Sequence, residues 1–378
     1  MRWMDEFARE ELAKGLIDRI HRLAQRLGRP ITIMEVCGTH TVALFRHGVR
    51  AALPKNLRMI SGPGCPVCVT PNEEIDTAIE MALKPDVILV TFGDMVRVPG
   101  SRKSLADARI EGADIRVVYS PLEALDIARA NPERQIVFLG VGFETTAPTI
   151  GATINQAASE ELANFSVFSA HKLVPPAMRA LVLSGEVGVD GFMLPGHVCT
   201  VIGARPFEFL ADEFGIPGMV TGFQPLDLLQ GIAMLLDQIA NDRHRIEIEY
   251  TRIVSREGNR QAQAILEKVF TPGDASWRGF GLLPSSGLHL SPTYSQFDAK
   301  RRIEVKIPPP VEHRGCRCDA VIRGALEPEE CRLFRKVCTP EYPIGPCMVS
   351  SEGTCAAHFK YGEAQHPHPI EPPLEVKP

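Results

Sequence analysis

Between residues 31 and about 240 the chain repeats one pattern, a short β-branched or uniformly apolar run followed by a stretch with apolar residues at helical spacing. The runs are "ITIMEV" (31–36), "LRMIS" (57–61), "DVILVTFG" (86–93), "IRVVYS" (115–120), "IVFLGVG" (136–142), "FSVFSA" (165–170), "GFML" (191–194) and "GMVTG" (218–222). Between them, "NEEIDTAIEMAL" (72–83) and "PLEALDIARA" (121–130) have acidic first turns, which favour helix N-termini. A strand apolar on both faces has to be covered on both faces. In alternation with helices that means parallel sheets clad by helices, the α/β class. Two such sets, 31–130 and 131–240, predict two similar α/β domains of Rossmann-like kind.

Past residue 240 the pattern changes. "RHRIEIEYTRIVS" (243–255) alternates like a strand and "NRQAQAILEKVF" (259–270) reads as a helix. Pro, Gly and Ser then become frequent through "PSSGLHLSPTYS" and "IPPPVEHRG". This predicts a third domain over 241–378, with the tail "HPHPIEPPLEVKP" loosely packed. The amphipathic stretch that opens the chain, 1–30, is expected to be a helix packed on that third domain.

At 378 residues the chain exceeds one ordinary core, in line with several domains. Its net charge of −5 and the absence of a Lys/Arg block argue against nucleic acid as the main partner. The first residues mix both charge signs, unlike a signal or transit peptide, and no apolar run is long enough to span a bilayer. The chain reads as soluble and cytoplasmic, with no membrane partner.

In a reducing compartment, ten cysteines point to metal or redox chemistry rather than structural disulfides. They fall into groups. Cys37, Cys65 and Cys68 lie early, Cys199 is alone, and Cys316, Cys318, Cys331, Cys338, Cys347 and Cys355 crowd near the end. From Cys318 the spacing is C-x12-C-x6-C-x16-C through Cys331, Cys338 and Cys355. Four thiolates satisfy either Zn(Cys)4 or [4Fe–4S]. The paired C-x2-C knuckles of a zinc ribbon are missing, so the spacing leans toward the iron–sulfur cluster.

Cys37 follows a strand in "MEVCGTHT", with His40 three residues on. Cys65 and Cys68 occupy a second strand-end loop among Pro63, Pro66 and Pro71. Such loops are where open α/β sheets place ligands. Thiolate and imidazole together suit iron, whereas a Cys-x-x-Cys pair suits reversible disulfide chemistry. "LGVGFETTAPT" (139–149) begins Gly-x-Gly, but it lacks the third Gly of a dinucleotide loop and the Lys of a phosphate loop. Its Glu144 is instead a polar group at a strand end. His197, in "LPGHVCTVIG" (194–203), is balanced between a structural and a functional role.

Taken together, "CGTH" (37–40), "GPGCPVC" (62–68), "GFETT" (142–146), "PGHV" (195–198), "VIG" (201–203) and the late C-x12-C-x6-C-x16-C set resemble the HypD family of hydrogenase-maturation proteins, in that family's order. The resemblance implies two α/β domains plus a third that carries a [4Fe–4S] cluster. It implies a complex with the small chaperone HypC, on which the Fe(CN)2CO unit of [NiFe]-hydrogenase is assembled. Cyanide would come from HypE, and the product would pass to the hydrogenase large-subunit precursor. By the same resemblance Cys37 holds the iron with His40 beside it, and Cys65 and Cys68 form the redox pair. Cys318, Cys331, Cys338 and Cys355 ligate the cluster, and Glu144 and His197 belong to the central cleft. Two positions depart from the family pattern. Val42 stands where a second histidine is expected, and Cys199 where a serine is common, so Cys199 is given no role. Two rival readings stay open: an iron–sulfur thiol oxidoreductase acting on another protein, and a non-catalytic scaffold with zinc in its C-terminal region.

Overall fold

A computed structural model describes residues 2–362, with side chains from residue 9 onward; the tail expected to pack loosely lies outside the described residues. Every apolar run of the sequence forms a strand. These are β1 (Ile31–Glu35), β2 (Leu57–Ser61), β3 (Val87–Thr91), β4 (Asp114–Val117), β5 (Gln135–Gly140), β6 (Phe165–Ser169), β7 (Gly191–Pro195) and β8 (Gly218–Thr221). The alternating segment beyond residue 240 supplies β9 (Ile246–Ile248), and Arg260–Val269 is helical as its periodicity predicts.

The strands form two parallel sheets, ordered β2-β1-β7-β8-β9 and β4-β3-β5-β6. The class is therefore α/β with Rossmann-like parallel sheets. The sheets do not divide the chain at residue 130, however. The chain lays down β1 and β2, builds the whole four-stranded sheet, and then returns at residue 191 to pair β7 with β1. The strand spacing alone cannot reveal this, because every run is equally apolar and pairing partners are chosen by three-dimensional packing.

The first helix, Arg2–Leu27, also departs from expectation. Leu16, Ile20 and Ala24, spaced four apart, are buried with Ile31, Ile33, Leu57 and Met59 and with the apolar face of the helix Pro225–Ala240. It covers the five-stranded sheet, and the C-terminal region contributes nothing to that cluster among the described residues.

The region after 240 is likewise divided. Strands β10 (Phe270–Trp277) and β11 (Gly281–Leu290) form an antiparallel hairpin that the sequence reading left as irregular. Its Pro272, Gly273 and Pro284 mask the strand signal, and the register shifts between Gly273 and Ala275. Phe270, Leu288, Leu290, Tyr294 and Phe297 then join the core of the four-stranded sheet. The segment from about 313 to 362 differs in kind, although Val321, Ile322, Phe334 and Met348 join the core of the rest of the chain. It has short helices and turns, no strand of its own, and all six late cysteines. No described helix is long and apolar enough to cross a membrane.

Candidate functional site: a thiol-lined cleft at the strand ends

Four of the motifs singled out in the sequence sit at the C-terminal ends of parallel strands. "CGTH" follows β1, "GPGCPVC" follows β2, "GFETT" follows β5 and "PGHV" begins within β7. In the five-stranded sheet the order reverses between β1 and β7, so the loops after those two strands open a crevice at the switch point.

Cys37 caps the helix Gly38–Arg46. Burial and the nearby Glu352 carboxylate push its thiol up to about 12, with the Thr39 and His40 amides at the helix start working against the shift. Such a thiol keeps its proton until a cation displaces it, and the helix N-terminus then favours the thiolate. Gly38 has no room for a side chain, since a Cβ there would lie 2.2 Å from the Glu352 carbonyl oxygen. Glu352 in turn accepts the Thr39 hydroxyl at 2.6 Å, so the thiol-rich region reaches over the start of this helix.

Cys65 and Cys68 are joined by a disulfide and buried. Cys65 caps the short helix Pro66–Val69, whose first position is the proline. The loop before it lies on Cys37. The Gly38 amide donates to the Gly64 carbonyl at 3.1 Å, and a Cβ on Gly64 would meet the Cys37 nitrogen at 2.3 Å. On its other side the disulfide helix packs against the turn Pro346–Met348 and the helix Cys318–Ile322. The helix that carries the disulfide thus lies between the Cys37 loop and the segment of the late cysteines. At the helix end, buried Arg278 donates to the Thr70 carbonyl and to Asn72 and pairs with Glu312.

His40 is fully buried. Its Nε2–H donates to the carbonyls of Thr221 and Gly222, so in the neutral ring Nδ1 carries the lone pair, and Nδ1 has no partner. Burial brings its pKa down to about 4 and keeps the ring neutral. The ring stacks on Phe223 at 4.6 Å between centroids, and His197 also stacks on Phe223 at 3.8 Å. His197 lies at the exposed mouth of the cleft and is also shifted down by partial burial.

Two buried carboxyls complete the walls. Glu35, the last residue of β1, accepts from Thr41 at 2.5 Å and from the Cys37 amide at 3.4 Å. Burial raises it to about 8. Glu144 accepts the Val174 amide on one oxygen and leaves the other unpartnered, and burial raises it to about 7. Buried Cys199 is close enough to both Glu144 and Cys37 for their charges to disfavour its thiolate.

The late cysteines converge as well. The Cys318 thiol interacts with those of Cys316, Cys347 and Cys355, and this group together with burial raises Cys318 far above an ordinary thiol. Cys338 accepts the Ile344 amide at 3.4 Å and is within electrostatic reach of Cys316 and Cys331. A Cβ on Gly345 would lie 2.6 Å from the sulfurs of both Cys316 and Cys318. None of the six is in a disulfide. A largely buried all-sulfur donor set suits an iron–sulfur cluster better than zinc, since among the described residues no three of these sulfurs lie within 4.8 Å of one another.

The sequence profile of HypD, described as "Hydrogenase formation hypA family", matches residues 11–362. The chain belongs to the HypD family. It is 48% identical to the hydrogenase maturation factor HypD2 of Bradyrhizobium diazoefficiens over 96% of this chain and 97% of that protein. It is 47% identical to the hydrogenase maturation factor HypD of Rhodobacter capsulatus, over 97% of this chain and 99% of the relative. The HypD of Escherichia coli is 44% identical over the same shares, 97% and 99%. The chain is a hydrogenase maturation factor of the HypD type.

Within this HypD-type fold His40 and His197 stack on the same Phe223 ring, the loop before Cys65 lies against Cys37, and Cys199 is within electrostatic reach of Glu144 and Cys37. Cys318 and Cys355 belong to the inner thiol group, with Cys331 and Cys338 beside it. Sequence reasoning missed Glu35, Phe223 and Glu352. A lone Phe gives no signal, but Glu35 is a carboxylate in an otherwise apolar strand, and that anomaly was legible. A second missed cluster, Glu327, Glu329 and His358, brings possible ligand atoms together. There Arg50 and Arg58 meet the Glu327 charge, and His358 pairs with Glu329 at 2.9 Å, which makes the cluster an ion-pair network.

Proposed function

We propose that the protein is a redox-active scaffold on which, with a HypC-type chaperone, the Fe(CN)2CO moiety of [NiFe]-hydrogenase is assembled. A HypE-type donor supplies cyanide, and the finished unit passes to the large-subunit precursor. The observation that carries this reading is the position of the disulfide helix Pro66–Val69, between the Cys37 loop and the late cysteines.

Cys37 takes the iron fragment as substrate. Its thiol loses a proton on binding, and the Thr39 and His40 amides hold the resulting thiolate. Thiolate is a suitable donor for a low-spin ferrous unit bearing strong-field ligands. His40 stays neutral beside it, anchored through Nε2. His197 and Glu144 bound the cleft in which cyanide is delivered.

Releasing cyanide from a thiocyanate requires two electrons. A reduced Cys65/Cys68 pair supplies them and returns to the disulfide. Cys318, Cys331, Cys338 and Cys355 would hold the [4Fe–4S] cluster, whose chemistry is to pass single electrons. The chain's own contribution is to keep those sulfurs buried and close to the dithiol.

Iron and sulfide analysis of anaerobically purified protein tests the cluster, with close to four of each per chain expected. Infrared spectra of the complex with the HypC-type chaperone test the scaffold. Cyanide and carbonyl bands should be present in the parent protein and absent in Cys37→Ala. Undiminished bands in Cys37→Ala would overturn the assignment.

A further inference from the structure

A cavity of about 840 Å³ lies outside the crevice. It lies between the segments 97–107, 311–314 and 341–346. On a chain of net charge −5, its lining holds five Arg/Lys side chains against three Asp/Glu. Arg278 is paired with Glu312 and Lys103 with Glu111, and Arg97 binds only backbone carbonyls. Arg102 and Arg314 have no hydrogen bond or ion pair among the described residues. Two exposed apolar side chains, Tyr342 at 76% and Val311 at 56%, stand at the same rim.

The cavity is separated from the late thiols by a single loop. Ile344 and Pro346 line the cavity, and Gly345 between them lies against the Cys316 and Cys318 sulfurs. The Ile344 amide donates to the Cys338 sulfur. Cys316 is partly exposed.

We propose that this cleft is the docking site of a small acidic electron-carrier protein, which delivers single electrons through the 342–346 loop to the thiol-held centre. A positive patch on an acidic molecule steers an acidic partner to one place and repels it elsewhere. An apolar rim among free guanidiniums suits the small, transient interfaces of electron-transfer pairs. In each encounter the carrier loses one electron and the centre gains one; two encounters match the two electrons that reopen the Cys65–Cys68 disulfide. The inference rests on the redox reading above.

The test compares the full chain, reconstituted with iron and sulfide, with its Arg102→Glu/Arg314→Glu variant, using an acidic flavodoxin as the probe. Stopped-flow bleaching by flavodoxin hydroquinone should slow at least tenfold in the variant, and in the parent it should slow steeply with added salt. Reduced methyl viologen, a small cation, should reduce both proteins at rates that do not fall. Binding of oxidised flavodoxin, measured calorimetrically at low salt, should weaken at least tenfold in the variant. An unchanged flavodoxin rate and affinity would overturn the proposal, as would a parent that does not bind flavodoxin. So would inorganic phosphate occupying the cleft without slowing flavodoxin. If neither reductant bleaches the protein, the cluster reading fails, and the calorimetric arm still decides the docking site.

Discussion

Cys37 and Cys355 each lie at the start of a helix, Gly38–Arg46 and Thr354–Tyr361, and the two helices pack side by side. Their surroundings differ in kind. Around Cys37 a five-stranded sheet sets the backbone, and loops of Gly and Pro bring Cys65 and Cys68 to it. Around Cys355 there is no strand, and the common feature of the segment is its six thiols. In the first region the fold makes the site. In the second a bound centre would add to a core that Val321, Ile322, Phe334 and Met348 share with the rest of the chain.

That contrast is most exposed to removal of a late cysteine. Cys355→Ala should lose most of its iron and sulfide and much of the amide-exchange protection over 313–362, while β1, β2 and β7 stay protected. Elemental analysis and hydrogen exchange check this. Protection retained throughout would show that the shared core holds the C-terminal region without the centre. Next in size is Gly64→Ala. Its Cβ would strike the Cys37 backbone, so the variant should lose about 3 kcal/mol in urea unfolding, with the cluster content unchanged.

The last effect, read as a slope rather than as a single loss, concerns pH. The buried Glu35 carboxyl holds its proton to about 8, against 4.5 as its ordinary value. Between those values the native state binds a proton that the unfolded chain has lost. Stability therefore falls as pH rises through this window, by up to about 1.4 kcal/mol per pH unit for this group. Glu35→Gln should flatten that slope, leaving the smaller part due to Glu144, which holds its proton to about 7. Denaturation midpoints at several pH values between 5 and 8 check the sign.

How far the sequence was legible follows the same division. The strands could be read because Val, Ile and Leu runs such as "VILVTF" have few other uses, and the motifs could be placed because each follows such a run. The interleaving of the sheets could not be read. The pairing of β1 with β7 spans more than 150 residues and depends on which faces the helices Arg2–Leu27 and Pro225–Ala240 cover. The hairpin β10–β11 was hidden by its prolines and glycines. In the site, cysteine spacing announced both thiol groups. The stack of His40, Phe223 and His197 unites the first turns of two helices and a loop, with no shared local pattern. Cys199, given no role because it stands where the family pattern commonly has a serine, lies within electrostatic reach of Glu144 and Cys37.

The account depends on the dithiol working between the two thiol regions, and Cys68→Ala tests that most directly. Co-purified with the HypC-type chaperone, this variant should keep its fold and its iron–sulfur content but lack the cyanide and carbonyl infrared bands. Bands at the parent's intensity in a correctly folded Cys68→Ala protein would contradict it.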